Sequence, residues 1–146
     1  MLNLIIGFLL LTTVAPKVEV LNNWMRPSSK DMNTAVYAKI KNNSDKADTL
    51  YSVSSTLAKV TEIHETYDKG GSMGMRKVDF IVIPAKKTFE LKPGSHHIML
   101  IKLNQDIQKG KKYTVTYKFR RAGEIKVEAI ASEKAVENSS KMHNKK

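Results

Sequence analysis

The 146 residues contain no cysteine. That excludes a disulfide framework, a thiolate zinc site and a thiol nucleophile. Aromatic residues make up only 7%, and there is neither a recognition-helix pattern nor an aromatic RNA-binding box, so nucleic acid is not expected as a partner. Acidic residues are scarce, 14 against 25 Lys and Arg. No Gly-x-Ser-x-Gly elbow, phosphate loop or His-Glu-x-x-His helix occurs, and an enzyme is not expected. Glu62 and Glu65 flank His64, but carboxylates beside a histidine on a strand are not an acid-base pair by spacing alone. No long helical period runs anywhere in the chain, which removes helix bundles from consideration.

With 41% hydrophobic content, the chain is long enough for one domain with a real core and too short for two. Residues 1–15, MLNLIIGFLLLTTVA, are apolar and uncharged. They read as a secretory signal peptide, with an uncleaved anchor as the alternative, and the run is shorter than the roughly 20 apolar residues of a transmembrane helix. The domain is expected over 16–132 and a polar, disordered tail over 133–146. Val18 and Val20 alternate with polar neighbours, and Ala35 to Ile40 is a half-buried strand pattern. Further strand-like runs are Thr49 to Ser54, Lys59 to Glu65, Met75 to Ile83, Thr88 to Leu91, His97 to Leu103, Tyr113 to Phe119 and Glu124 to Ala131. Gly, Pro and Asp clusters separate them. Short strands at this spacing predict an all-β fold, an antiparallel Greek-key sandwich or barrel. Trp24 is expected in its core, with Met25 and Met32 as packing residues.

What the chain does have is a concentration of imidazole and thioether. His64, Met73, Met75, His96, His97 and Met99 all fall between residues 64 and 99. These donors suit copper, and paired sulfurs favour Cu(I), whereas calcium or magnesium would want oxygen. A blue-copper electron carrier is excluded, since its site needs a cysteine thiolate.

Ten residues separate His64 from Met75, twenty-one separate Met75 from His97, and one separates His97 from Met99. This spacing resembles the signature of the PCuAC-like periplasmic copper chaperones. The segments EIHE (62–65), MGMRKV (73–78), PGSHHIML (93–100) and WMRP (24–27) are similar too, and the resemblance covers roughly residues 17 to 132. It implies a cupredoxin-like β-sandwich and one Cu(I) held by His64, Met75, His97 and Met99. It further implies delivery to a copper-accepting protein, a cytochrome c oxidase copper subunit or its assembly factors, in the periplasm.

Strand geometry agrees with that ligand set. A hairpin centred between Lys69 and Gly70 would put His64 directly opposite Met75, on one face. His97 and Met99, two apart on a strand, share a face, while His96 turns to the other with Ile98. A β-bulge at Gly94-Ser95 would swap those faces. Met73 shares Met75's face but misses the spacing, and is read as an auxiliary sulfur. Two imidazoles and two thioethers are neutral, so the ion keeps its charge and stays exchangeable.

Two features lie outside this centre. Met142 and His143 sit side by side in the tail, thin evidence for a second copper role. Lys102, Lys109, Lys111, Lys112, Lys118, Arg120, Arg121 and Lys126 face only Asp106 and Glu124 in their stretch. Such a basic face could steer docking onto an acidic acceptor or a membrane surface. It also supports the competing reading, a non-catalytic β-sandwich interaction module using that face, with no metal role; a monomer is expected.

Overall fold

The computed structural model describes residues 14–135. Most of the expected signal segment and of the tail, with Met142 and His143, therefore lies outside the described residues. Ten strands run in chain order: β1 (Val18–Met25), β2 (Thr34–Asn42), β3 (Asp48–Ser54), β4 (Ala58–Asp68), β5 (Met73–Lys77), β6 (Ile81–Ile83), β7 (Thr88–Leu91), β8 (His97–Leu103), β9 (Lys112–Phe119) and β10 (Gly123–Ala131). Their hydrogen-bonded order is β5-β4-β8-β2-β1-β10-β9-β3-β6, with β7 sharing the β8 edge of β2. Every ladder is antiparallel except β1 with β10. Contact between β3 and β4 brings the two halves face to face. The fold is all-β, as the spacing of short strands predicts, and cupredoxin-like, as the family resemblance implies.

The core is filled by alternate residues from both halves. Val36, Ile40, Ile98, Leu100 and Met25 meet Leu50, Ile83, Val115, Tyr117 and Phe119. Burying each such side chain contributes about 1.5–3 kcal/mol. Asp48 is buried as well, and its carboxylate accepts hydrogen bonds from the backbone N–H groups of Thr49, Arg121 and Ala122. It thereby ties the β9–β10 turn to β3.

Two local expectations are corrected. The run Met75 to Ile83 is two strands, because β5 pairs with β4 while β6 pairs with β3 at the far end of the order. The chain leaves one half for the other at Val78–Phe80. Trp24 is buried as expected, though on the face of β1 that turns from the main cluster. The β1–β2 register shifts between Leu21 and Trp24, where Asn22 takes a positive φ of 50°. Such a bulge adds one residue and exchanges the faces, so Val18 packs in the core while Trp24 stacks on Tyr37, ring centroids 4.6 Å apart. Met25 is fully buried as expected, whereas Met32, in the β1–β2 connection, is 59% exposed and packs no core.

Candidate metal centre

The β4–β8 ladder positions the histidines. It runs without a shift from Ala58↔Leu103 through Glu62↔Met99 and Ile63↔Ile98 to His64↔His97. Ile63 and Ile98 face the core. By the two-residue period of a strand, Glu62, His64, His97 and Met99 share the opposite face. The bulge considered at Gly94-Ser95 does not enter this ladder, since the residues before His97 form a turn in which Ser95 N–H donates to Lys92 O.

His64 and His97 stand directly opposite one another, ring centroids 5.8 Å apart and planes inclined by 50°. With a metal–nitrogen distance of about 2 Å, two imidazoles sharing one ion have centroids no more than about 6 Å apart. The pair meets that limit as it stands. His97 is only 4% exposed, and its Nδ1 lies 3.0 Å from the Ser95 carbonyl oxygen. Donation from Nδ1–H to that oxygen leaves Nε2 with its lone pair. Burial pushes the His97 pKa down, the Ser95 hydrogen bond opposes the shift, and the neighbouring His64 and His96 add to it. A ring kept neutral in this way is in the state a metal requires.

Behind His97 stands a wall of rings. Tyr37 lies 6.4 Å from it, Trp24 packs on Tyr37, and the Arg26 guanidinium sits 5.7 Å from the Tyr37 centroid. On the other side, His64 Nε2 is 2.8 Å from Glu62 Oε2, and His64 Nδ1 is buried with no hydrogen-bond partner among the described residues.

The methionines flank this pair. Met99 is half-buried and lies opposite Glu62, hence diagonal to His64. The β4–β5 hairpin differs from expectation by two residues: His64 faces Lys77, and Met75 faces Thr66. The turn is centred between Gly70 and Gly71, whose φ values of 64° and 96° favour glycine, and Asp68 Oδ1 accepts the Gly71 N–H. A shift of two keeps every side chain on its face. Met75 is therefore diagonal to His64 from the other corner, and diagonal Cβ atoms about 7–8 Å apart remain within reach of long side chains. Met75 and Met73 are 58% and 66% exposed.

The reverse of the hairpin carries a separate network. His96 Nε2 lies 3.3 Å from Glu65 Oε2 and its ring meets Phe89 edge-on at 5.2 Å. Glu65 also pairs with Arg76, whose guanidinium covers the Tyr67 ring at 4.8 Å. His96 is thus turned from the His64–His97 pair.

Among the described residues no three His, Asp or Glu side chains converge into a metal site. Nitrogen and oxygen alone do not complete a centre here. Met99 and Met75 add thioether donors to the same face.

The basic stretch is not one patch. Lys111 and Lys112 stand at the start of β9 and Arg120 and Arg121 just past its end, about 25 Å away at 3.3 Å per residue. That exceeds the roughly 10 Å over which exposed charges act at 0.1 M salt. Arg120 is engaged with the Tyr51 ring at 4.9 Å, and Lys118 pairs across the ladder with Glu124. This part of the sheet is also remote in strand order from β4 and β8.

Glu62 was placed beside His64 by the sequence but given no part at the centre, and Lys77, Tyr37 and Trp24 were not anticipated there. Glu62 was within reach, since a period of two from His64 lands on it. Tyr37 and Trp24 depend on pairing between distant strands and on the β1 bulge, for which no local signal exists.

Residues 18–131 match the family described as "Putative lipoprotein LpqE-like". A protein of Leifsonia xyli subsp. xyli named "Putative lipoprotein Lxx21020" is 32% identical over 106 residues, covering 72% of this chain and 63% of that protein, so the match spans less than two thirds of that relative. Among solved structures, the apo PCuAC domain from PmoF1 is 25% identical over 80% of this chain and 93% of its own, with a TM-score of 0.67. The solution structure of the Cu(I) form of DR1885 from Deinococcus radiodurans is 26% identical over 77% and 78%, with a TM-score of 0.60. The resemblance to the PCuAC-like family is borne out by the family match and by the PCuAC domain among these structures.

Proposed function

The chain belongs to the LpqE-like family, and from that premise we propose that it is an exported copper carrier that binds one Cu(I) through His64, His97, Met99 and Met75. The observation that carries this reading is the presentation of two imidazoles and two thioethers on one face of the β5-β4-β8 segment, with the imidazoles already at a separation one ion can bridge. Similarity to the Cu(I) form of DR1885 supports the choice of metal, as does the softness of the sulfur donors.

Each residue has a distinct part. His97, neutral and walled in by Tyr37, offers Nε2 without having to lose a proton. His64 supplies the second nitrogen from the facing strand. Met99 closes the site from its half-buried side, and Met75, on the exposed edge strand, closes it from solvent. With no thiolate in the set, the ion keeps its positive charge and can be passed on. Copper is cargo here, and no bond in the protein is made or broken beyond its coordination.

The acceptor in this proposal is a copper-accepting protein of the cell envelope, a cytochrome c oxidase copper subunit or one of its assembly factors, met by a monomeric carrier. The apolar, uncharged residues 1–15 and the lipoprotein name of the family support export.

Titration of the purified apo-protein with Cu(I) against a chelator of known affinity, followed by X-ray absorption, tests the reading. One copper per chain with both nitrogen and sulfur neighbours is expected. An all-oxygen or all-nitrogen shell would overturn it. Transfer to an apo copper-subunit domain, followed spectroscopically, tests delivery.

A further inference from the structure

We propose that Glu62 selects which nitrogen of His64 faces the metal, so that the two histidines bind through unlike atoms, His64 through Nδ1 and His97 through Nε2. The inference rests on the copper reading and adds a positioning residue to it.

An ionised carboxylate can only accept hydrogen bonds. With Glu62 Oε2 2.8 Å from His64 Nε2, that nitrogen must be the one carrying the proton. In the neutral ring the lone pair then lies on Nδ1. This is the atom that is buried and has no hydrogen-bond partner among the described residues, and a buried polar atom left without a partner calls for an explanation. A metal shared with His97 supplies one. At His97 the arrangement is reversed, since Nδ1 faces the Ser95 carbonyl and Nε2 is left for the ion.

The carboxylate is itself placed by the sheet. Glu62 lies two residues before His64 on the same face, and its Oε1 stands 3.8 Å from Lys77 Nζ, on the residue directly opposite His64 in β5. Lys77 thus draws Glu62 toward the His64 ring. A carboxylate hydrogen-bonded to a ligating imidazole fixes the ring's orientation and strengthens its donor nitrogen.

The experiment reads the tautomer without copper and the affinity with it. In ¹⁵N-labelled apo-protein at about pH 8, where imidazoles are ordinarily neutral, long-range ¹H–¹⁵N spectra should show His64 protonated on Nε2. Glu62→Ala should lose that preference and bind Cu(I) about 10–100-fold more weakly in chelator competition. Glu62→Gln, whose amide oxygen still accepts the Nε2–H, should restore both the tautomer and most of the affinity. Wild-type His64 protonated on Nδ1 overturns the proposal, as does wild-type affinity in Glu62→Ala. A Gln variant as weak as the Ala variant, with its tautomer intact, would make Glu62 a direct ligand and overturns it too. Failure of the wild type to bind Cu(I) would sink the copper reading instead, with the apo spectrum still deciding the hydrogen bond.

Discussion

The two sides of the centre are built differently. The β4–β8 side holds His64 and His97 in an unbroken ladder, over a core containing Ile63 and Ile98, with Tyr37 and Trp24 beside His97. The β5 side is a five-residue edge strand whose Met73 and Met75 are mostly in solvent, closed by a turn with two positive-φ glycines. One side has paid its ordering entropy on folding. The other retains side-chain freedom, and Met loses up to about 1.5–2 kcal/mol of rotamer entropy when immobilised. In the proposed carrier the fixed half would recognise the ion and the loose half would let it go.

Removing a proposed ligand from the fixed half should have the largest effect. His97→Ala is expected to lower Cu(I) affinity by more than ~100-fold, since loss of even an outer-shell partner can cost that much. His96→Ala should leave affinity nearly intact and loosen only the contacts with Glu65 and Phe89. Chelator competition on the two single variants measures this. The opposite ranking would mean that the ladder is shifted by one residue.

On the loose half, Met75→Ala is expected to cost about tenfold in affinity, ~1.4 kcal/mol, and to speed copper transfer. Stopped-flow transfer to a chelator follows it. A loss as large as that of His97→Ala would show that both halves are equally anchored.

A third variant stiffens the comparison from behind. A Cβ on Gly74 would come within 2.8 Å of the Tyr67 ring, which is held in place by Arg76. Gly74→Ala is therefore expected to destabilise the fold by about 1 kcal/mol, as overpacking does. Hydrogen exchange should accelerate in β5 and remain slow in β8. Equal acceleration in both would erase the distinction between the halves.

The smallest expected effect is on pH dependence. Burial lowers the His97 pKa in the folded apo-protein, so as pH falls the unfolded chain takes up this proton first, near its ordinary value of about 6.5. The stability that His97 contributes is complete above that value and is lost as pH drops from there toward the lowered folded pKa. Urea midpoints of wild type and His97→Gln across pH 7 to 4 should converge toward acid. Parallel curves would mean that the ring is not buried in solution.

How much of this was legible depends on how local each feature is. Strand identity was readable in β7 and β8, whose ends match their apolar runs, because alternation and turn residues are properties of neighbours in the chain. The break at Val78–Phe80 was not, since strand-forming residues lie on both sides of Asp79 while the pairing partner changes from β4 to β3. The hairpin register was missed by two residues, because a stretch containing Gly70 and Gly71 admits more than one turn. The face of Met75 survived the error because side-chain direction repeats every two residues.

The sequence by itself determined that no thiolate can enter the proposed ligand set, and it gathered imidazole and thioether donors between residues 64 and 99. It also determined that His97 and Met99 share a face, through a period that belongs to the strand alone. That His64 stands across from His97, that Glu62 reaches its ring and that Trp24 turns outward to back Tyr37 were decided only in the tertiary structure. Those relations come from pairing between distant strands and from one bulge in β1, and backbone hydrogen bonding between segments carries no mark in either segment's own residues.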